Sequence, residues 1–115
     1  MAKVITTEEL KNKIDSDEEF YLVDVLSSNS YEGRHIPTAI NFSNGPDFLE
    51  DFENKTEANK DDEIIVYCSS ENCMASVQAA KTLEKAGYTN VVHYKDGLAG
   101  WQNAGYDFEG KVDSD

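Results

Sequence analysis

Two cysteines carry most of the reactive chemistry open to this chain. They lie in Tyr67-Cys68-Ser69-Ser70-Glu71-Asn72-Cys73-Met74-Ala75-Ser76. Cys68 follows Ile64-Ile65-Val66-Tyr67, a short β-branched run bounded by charge that reads as a buried strand. Beyond the polar stretch, Ala75, Ala79, Ala80, Leu83 and Ala86 recur at helical spacing, and Gly87 comes next as a C-terminal cap. Cys68 is therefore expected where a buried strand ends, on a loop feeding a helix N-terminus. The unpaired N–H groups and positive partial charge of such a terminus favour thiolate over thiol. Amides of a loop curling around the sulfur would add to that preference. Thiolate is the nucleophilic form. Cys68 is thus expected to be a reactive nucleophile, with the backbone of Ser69, Ser70, Glu71, Asn72, Cys73, Met74 and Ala75 as its anion cradle. The alternative is a buried cysteine packed as a small apolar side chain. Glu71 opposes ionisation if its charge points inward.

Cys73 admits two readings. As a partner thiol it would attack a persulfide or sulfenic acid on Cys68 and close a disulfide. As a small residue it would merely start the helix. The choice turns on a Cα separation that sequence does not supply. Neither cysteine has ligand-pair spacing with His35 or His93, so no metal site is expected, nor any organic cofactor.

The elements that must position Cys68 emerge from patterning. Lys3-Val4-Ile5 reads as a first strand. Thr6 and Glu9 have capping-box spacing, which predicts a helix from Thr7 to about Ile14 with Leu10 and Ile14 inward. Phe20 to Val25 is a second buried strand that carries the carboxylate of Asp24, and Ser28-Asn29-Ser30 is expected to cap a turn through Glu32. His35-Ile36-Pro37-Thr38 is a turn, because Ile36 precedes proline. Ala39 to Phe42 is a third strand, and Phe48, Leu49 and Phe52 give one apolar helical face. Val91 to Tyr94 is a fifth strand, and a short helix carrying Leu98 and Trp101 comes after it. The segment from Asp107 to Asp115 is expected to fray, with 1–110 as one domain and 111–115 as an acidic tail. Strands alternating with helices predict an α/β fold with a mostly parallel sheet covered on both faces. In such sheets the reactive site lies beyond the carboxyl ends of the strands.

Composition narrows the partners. The chain has 115 residues and a net charge of −13, from 23 acidic against 10 basic residues. That length suits one core. That charge disfavours nucleic acid and anionic membrane surfaces as partners, so neither is expected, and it disfavours small dianions. The opening Met-Ala-Lys-Val-Ile-Thr-Thr is not of signal-peptide type, no apolar run reaches membrane length, and two cysteines then predict a reducing cytoplasm.

In order along the chain, several segments resemble the rhodanese homology domains. Leu22-Val23-Asp24-Val25 is similar to the family's "L-V-D-V/R" strand. Tyr31-Glu32-Gly33-Arg34-His35-Ile36-Pro37-Thr38-Ala39-Ile40-Asn41 resembles "E-x-G-H-I-P-G-A-I-N", and Ile65-Val66-Tyr67-Cys68 resembles the strand leading to the active cysteine. Ala79-Ala80, Leu83, Gly87-Tyr88 and Val91 resemble the family's helix and strand after that cysteine, and Asp96 to Trp101 resembles "G-G-x-x-x-W". The resemblance implies a five-stranded parallel sheet between two helical layers. It also implies that Cys68 takes sulfane sulfur from a small donor (polysulfide, persulfide or thiosulfate) and passes it, as a persulfide, to a thiol acceptor. A protein donor or acceptor is compatible with it.

The loop departs from the family's common form. Where an arginine is usual after the cysteine and four further residues, this chain has Cys73, and its one arginine is Arg34. Related phosphatases and arsenate reductases clamp an oxyanion with that arginine, so their chemistry is not expected here. Asp24, Arg34 and His35 are expected to support the site: Asp24 by hydrogen-bonding backbone or the His-Ile-Pro turn, His35 by fixing that turn, and Arg34 by pairing with Glu32 or steering anions. Trp101 is expected in the core, and Lys95 at the rim of the cysteine loop. A dithiol redox protein using Cys68 and Cys73, and a non-catalytic interaction module, are the alternatives to sulfur transfer.

Overall fold

Thr6 and Glu9 close the capping box that their spacing predicts. Glu9 N–H donates to Thr6 Oγ1 at 3.1 Å, and Thr6 N–H donates to Glu9 Oε1 at 2.9 Å. Two donors that the first helical turn would leave orphaned are thus satisfied. In the computed structural model, which describes residues 3–16, 18–69 and 73–110, the elements run β1 (Lys3–Ile5), α1 (Thr7–Asp15), β2 (Tyr21–Asp24), α2 (Ser28–Gly33), β3 (Ile40–Asn41), α3 (Phe48–Lys55), β4 (Ile64–Tyr67), α4 (Ala75–Lys85), β5 (Val91–Tyr94) and α5 (Gly97–Asn103). The strands form one sheet in the order β1-β5-β4-β2-β3. Every strand pair in it is parallel.

Alternation along β4 divides the core. Ile64, Val66 and Cys68 face a cluster with Phe48 and Phe52 of α3 and Ala79, Ala80 and Leu83 of α4. Ile65 and Tyr67 face the other side, with Leu10 of α1 and Leu98 and Trp101 of α5. Two-residue periodicity on the strand and burial on both faces give three layers, with β4 at the centre. Trp101 lies in the core as expected, its Nε1–H donating to the Asp107 carbonyl at 2.9 Å. Helix α4 ends in a Schellman arrangement: Gly87, at φ 103°, donates to Glu84 O, and Tyr88 N–H donates to Leu83 O. Only a residue free of Cβ strain takes that φ cheaply.

Three expectations need correction. The α2 cap is Ser27, one residue earlier than Ser28, because its hydroxyl accepts from Ser30 N–H at 3.3 Å. Strand β3 is two residues long, not four. Residues 107–110 do not fray. His35 and Glu109 exchange backbone hydrogen bonds of 2.8 and 2.9 Å, and Phe108 packs on the core beneath the Arg34 guanidinium, 4.8 Å from its ring. Paired backbone and a half-buried aromatic ring outweigh the segment's charge. The expected acidic tail, 111–115, lies outside the described residues. Among the described residues no helix is long and apolar enough to cross a membrane.

Candidate active site

Strands β2 and β4 run in register, so Asp24 and Tyr67 are neighbours at the carboxyl edge of the sheet. Both side chains are buried. Asp24 Oδ2 accepts the Tyr67 hydroxyl at 2.8 Å and Oδ1 accepts Leu26 N–H at 2.9 Å. The Tyr67 oxygen in turn accepts Ile36 N–H at 3.1 Å, which ties β2 and β4 to the His-Ile-Pro turn. Burial pushes the Asp24 carboxyl above the usual carboxylate range, while its two donors pull the other way. Burial, and then the nearby Asp24 charge, drives the Tyr67 hydroxyl far up, so it stays protonated and donates. The bonds of this pair hold β2, β4 and the turn together.

One residue further on, the backbone at Cys68 is gripped from behind. The carbonyls of Cys68 and Ser69 accept N–H groups of Leu98 at 3.0 Å and Ala99 at 2.8 Å, the first turn of α5. Gly97 makes that approach possible. It sits at φ 62°, and a Cβ there would fall on the Cys68 carbonyl oxygen. The glycine of the Asp96-Gly97 turn is thus a positioning element for the cysteine 29 residues before it.

The Cys68 side chain is 1 % exposed and continues the Ile64-Val66 face of β4 toward α4. It is not sealed in hydrocarbon. Its sulfur is bonded to that of Cys73, with Cα atoms 6.3 Å apart, inside the range a disulfide spans. Cys73 is only half-buried, so it is the outer sulfur of the pair. On its other side Cys68 Sγ lies 3.3 Å from Ser76 Oγ, and Ser76 Oγ lies 2.7 Å from His93 Nε2. Helix α4 has no side-chain cap at its N-cap residue, Met74, which is 59 % exposed. That contrasts with the closed box of α1. Of the expected cradle, Ser69, Cys73, Met74 and Ala75 are described, and Ser70, Glu71 and Asn72 lie outside the described residues.

The remaining nominees sit around this centre. Arg34 Nη1–H donates to Gln102 Oε1 at 3.0 Å. Arg34 also lines, with Ser30, Ser69 and Leu98, an open cavity of about 530 Å³. His35 stacks on Tyr31, and its Nδ1 lies 2.8 Å from the Tyr31 carbonyl. Lys95 is exposed at the end of β5, where its charge bears on His93. Sequence patterning alone does not single out Ser76, and it raises His93 only as a metal ligand. Each carries a signal. Ser76 falls on the Ala79-Ala80-Leu83 stripe, and a hydroxyl there must find a partner. His93 shares a face with Val91 by two-residue alternation, and its register partner is Val66, two residues before Cys68. Burial, with Lys95 second, pushes the His93 imidazole below the usual histidine range and favours its neutral form.

The rhodanese-like domain model matches residues 6–104. Among relatives, "Putative sulfur carrier protein YrkF" of Bacillus subtilis is 34% identical over 97 residues, which are 84% of this chain and 49% of that protein. The chain therefore spans about half the length of that relative. "Putative sulfurtransferase YtwF" of the same organism is 34% identical over 101 residues, 87% of this chain and 90% of its own length. Among solved structures, the BH2092 protein of Bacillus halodurans superposes with a TM-score of 0.86 at 26% identity, covering 96% of this chain and 79% of that one. The rhodanese-like domain of the Anabaena protein Alr3790 gives 0.84 at 27%, covering 99% and 83%. With the parallel sheet, the cysteine at the end of its central strand and matches over nearly all its length, the chain belongs to the rhodanese-like domain family.

Proposed function

We propose that this protein transfers sulfane sulfur, with Cys68 as nucleophile and carrier. The observation that supports it best is the place of Cys68 at the carboxyl end of the central strand, its backbone fixed by the first turn of α5, in a chain of this family. Two of its relatives bear names for sulfur carriage and sulfur transfer. In the reduced protein the Cys68 thiolate attacks the outer sulfur of a donor. The donor's sulfur–sulfur bond breaks, its remainder leaves with the bonding pair, and Cys68 becomes a persulfide. An acceptor thiolate then takes that outer sulfur and returns Cys68 as thiolate. The proposed step uses no metal or organic group: hydrogen-bond donors near the sulfur, of which the Ser76 hydroxyl is one, would hold its charge.

The net charge of −13 and a loop lacking arginine favour a neutral or protein-bound persulfide, or a polysulfide, over thiosulfate. Arg34, the one guanidinium, lines the cavity beside Ser69 but already binds Gln102. The test is intact mass after incubating reduced protein with polysulfide or thiosulfate. A gain of one sulfur atom, absent in Cys68→Ser, is the expected result, and no uptake from any donor would favour a non-catalytic module. Rates with each donor check the charge argument, which a clear preference for thiosulfate would overturn.

The Cys68–Cys73 bond favours a second reading, a dithiol redox protein. In a reducing cytoplasm such a bond is transient and catalytic rather than structural. Cys73→Ser separates the two: a sulfur carrier keeps its uptake and turnover, whereas a dithiol protein loses activity.

A further inference from the structure

We propose that Ser76 and His93 form a two-step proton relay serving Cys68, with His93 as the positioning residue at its far end. This rests on Cys68 being the nucleophile. Cys68 just past β4, Ser76 of α4 and His93 of β5 meet in series, with Cys68 in its disulfide to Cys73: sulfur to hydroxyl at 3.3 Å, hydroxyl to imidazole nitrogen at 2.7 Å. Ser76 is 1 % exposed and sits in a stripe otherwise built of Ala79, Ala80 and Leu83. A hydroxyl there adds nothing to packing that alanine would not, and it costs free energy unless bonded. The side-chain partners it finds are the reactive sulfur and a basic nitrogen.

The chain of bonds can run in either direction, and that is its use. Once the disulfide is reduced, with neutral His93 unprotonated at Nε2, the Cys68 S–H donates to Ser76 Oγ and the Ser76 O–H donates to Nε2. When the thiol ionises, its proton passes to Ser76 Oγ while the Ser76 proton passes to Nε2. One S–H and one O–H bond break, one O–H and one N–H bond form, and no electrons change centres. The line then runs the other way, with imidazolium N–H donating to hydroxyl and hydroxyl donating to thiolate. The proton is held two bonds from the sulfur and is available for the thiolate that leaves the donor. Burial supports the starting state, since it keeps His93 neutral and able to accept. His93 is only half-buried, so the line ends on a side chain that reaches solvent.

The relay also orders the two sulfurs. In the disulfide, the half-buried Cys73 is the sulfur an external thiolate can reach, and Cys68 then departs as the thiolate that Ser76 stabilises.

The test uses the full chain, reduced, with iodoacetamide at about pH 7 and mass-spectrometric mapping of each cysteine. Ser76→Ala is expected to slow alkylation of Cys68 by about tenfold or more, as loss of thiolate stabilisation requires. Ser76→Thr, which keeps the hydroxyl, should restore most of the rate, and His93→Leu should slow Cys68 while leaving the Cys73 rate unchanged. Cys68 rates within about twofold of wild type in both Ser76→Ala and His93→Leu would overturn the relay. If Ser76→Ala fails to fold, both cysteines speed up together, and His93→Leu, at the half-buried end, carries the decision. Sulfur uptake by wild type is measured alongside. Slowed alkylation without uptake would keep the relay and reject the transferase, and the reverse would do the opposite.

Discussion

Strands β2 and β4 end side by side, yet their polar residues come to opposite uses. At β2, Asp24 receives Tyr67 and Leu26, Tyr67 receives Ile36, and the chain of bonds closes on backbone. At β4, the line from Cys68 passes through one hydroxyl and ends on an imidazole that can gain a proton. The Asp24 network ends on backbone N–H groups and is therefore structural. The Cys68 line is open at its far end and therefore able to react. Burial alone does not separate the two, since Asp24, Tyr67, Cys68 and Ser76 are all buried.

That contrast should appear as stability loss in the Asp24–Tyr67 network and rate loss in the Cys68–Ser76–His93 line. Asp24→Ala orphans the Tyr67 hydroxyl and Leu26 N–H and should lower unfolding free energy by about 3 kcal/mol in urea titrations. Sulfur uptake by the protein that remains folded should be nearly intact. If uptake is lost without loss of stability, the contrast fails. Gly97→Ala forces a left-handed φ on alanine and a Cβ onto the Cys68 carbonyl, so it should cost about 2 kcal/mol. It tests both ends at once, because displacing the cysteine backbone should also slow uptake. Tyr67→Phe leaves the Asp24 oxygen and Ile36 N–H without that hydroxyl and should cost about 1–2 kcal/mol by the same titration, again sparing uptake. The smallest effect concerns acid. His93 is held below its usual value, so its neutral form favours the fold. That contribution is complete above the unfolded value of about 6.5 and is lost as pH falls toward the folded value. Wild type should therefore lose more stability than His93→Asn on acidification from about pH 7 to 5, measured as the shift in urea midpoint.

Much of this arrangement was legible in the sequence because it is local. The capping box at Thr6 and Glu9, the buried run Ile64 to Tyr67, the apolar stripe of α4 and the stop at Gly87 each arise from neighbours in the chain. The position of Cys68 at a strand end came from the same patterns. The features that escaped depend on distant parts of the chain meeting. Ser76 and His93 become partners through the pairing of β5 with β4, and residues 107–110 stay in place because Glu109 meets His35. Segment charge suggested fraying there, and two backbone bonds plus a half-buried Phe108 overrode it. The Cα separation of Cys68 and Cys73 was likewise beyond spacing alone, since a stretch of four intervening residues can turn either way.

Strand β4 is paired along both edges and covered on both faces, so its amide hydrogens have no short route to water. Deuterium should enter Ile64 to Tyr67 only when the whole molecule opens, more slowly than in α2, none of whose residues is buried. The reactive sulfur is thus mounted on the part of the chain that yields last, and heating should destroy the molecule before it loosens that mount.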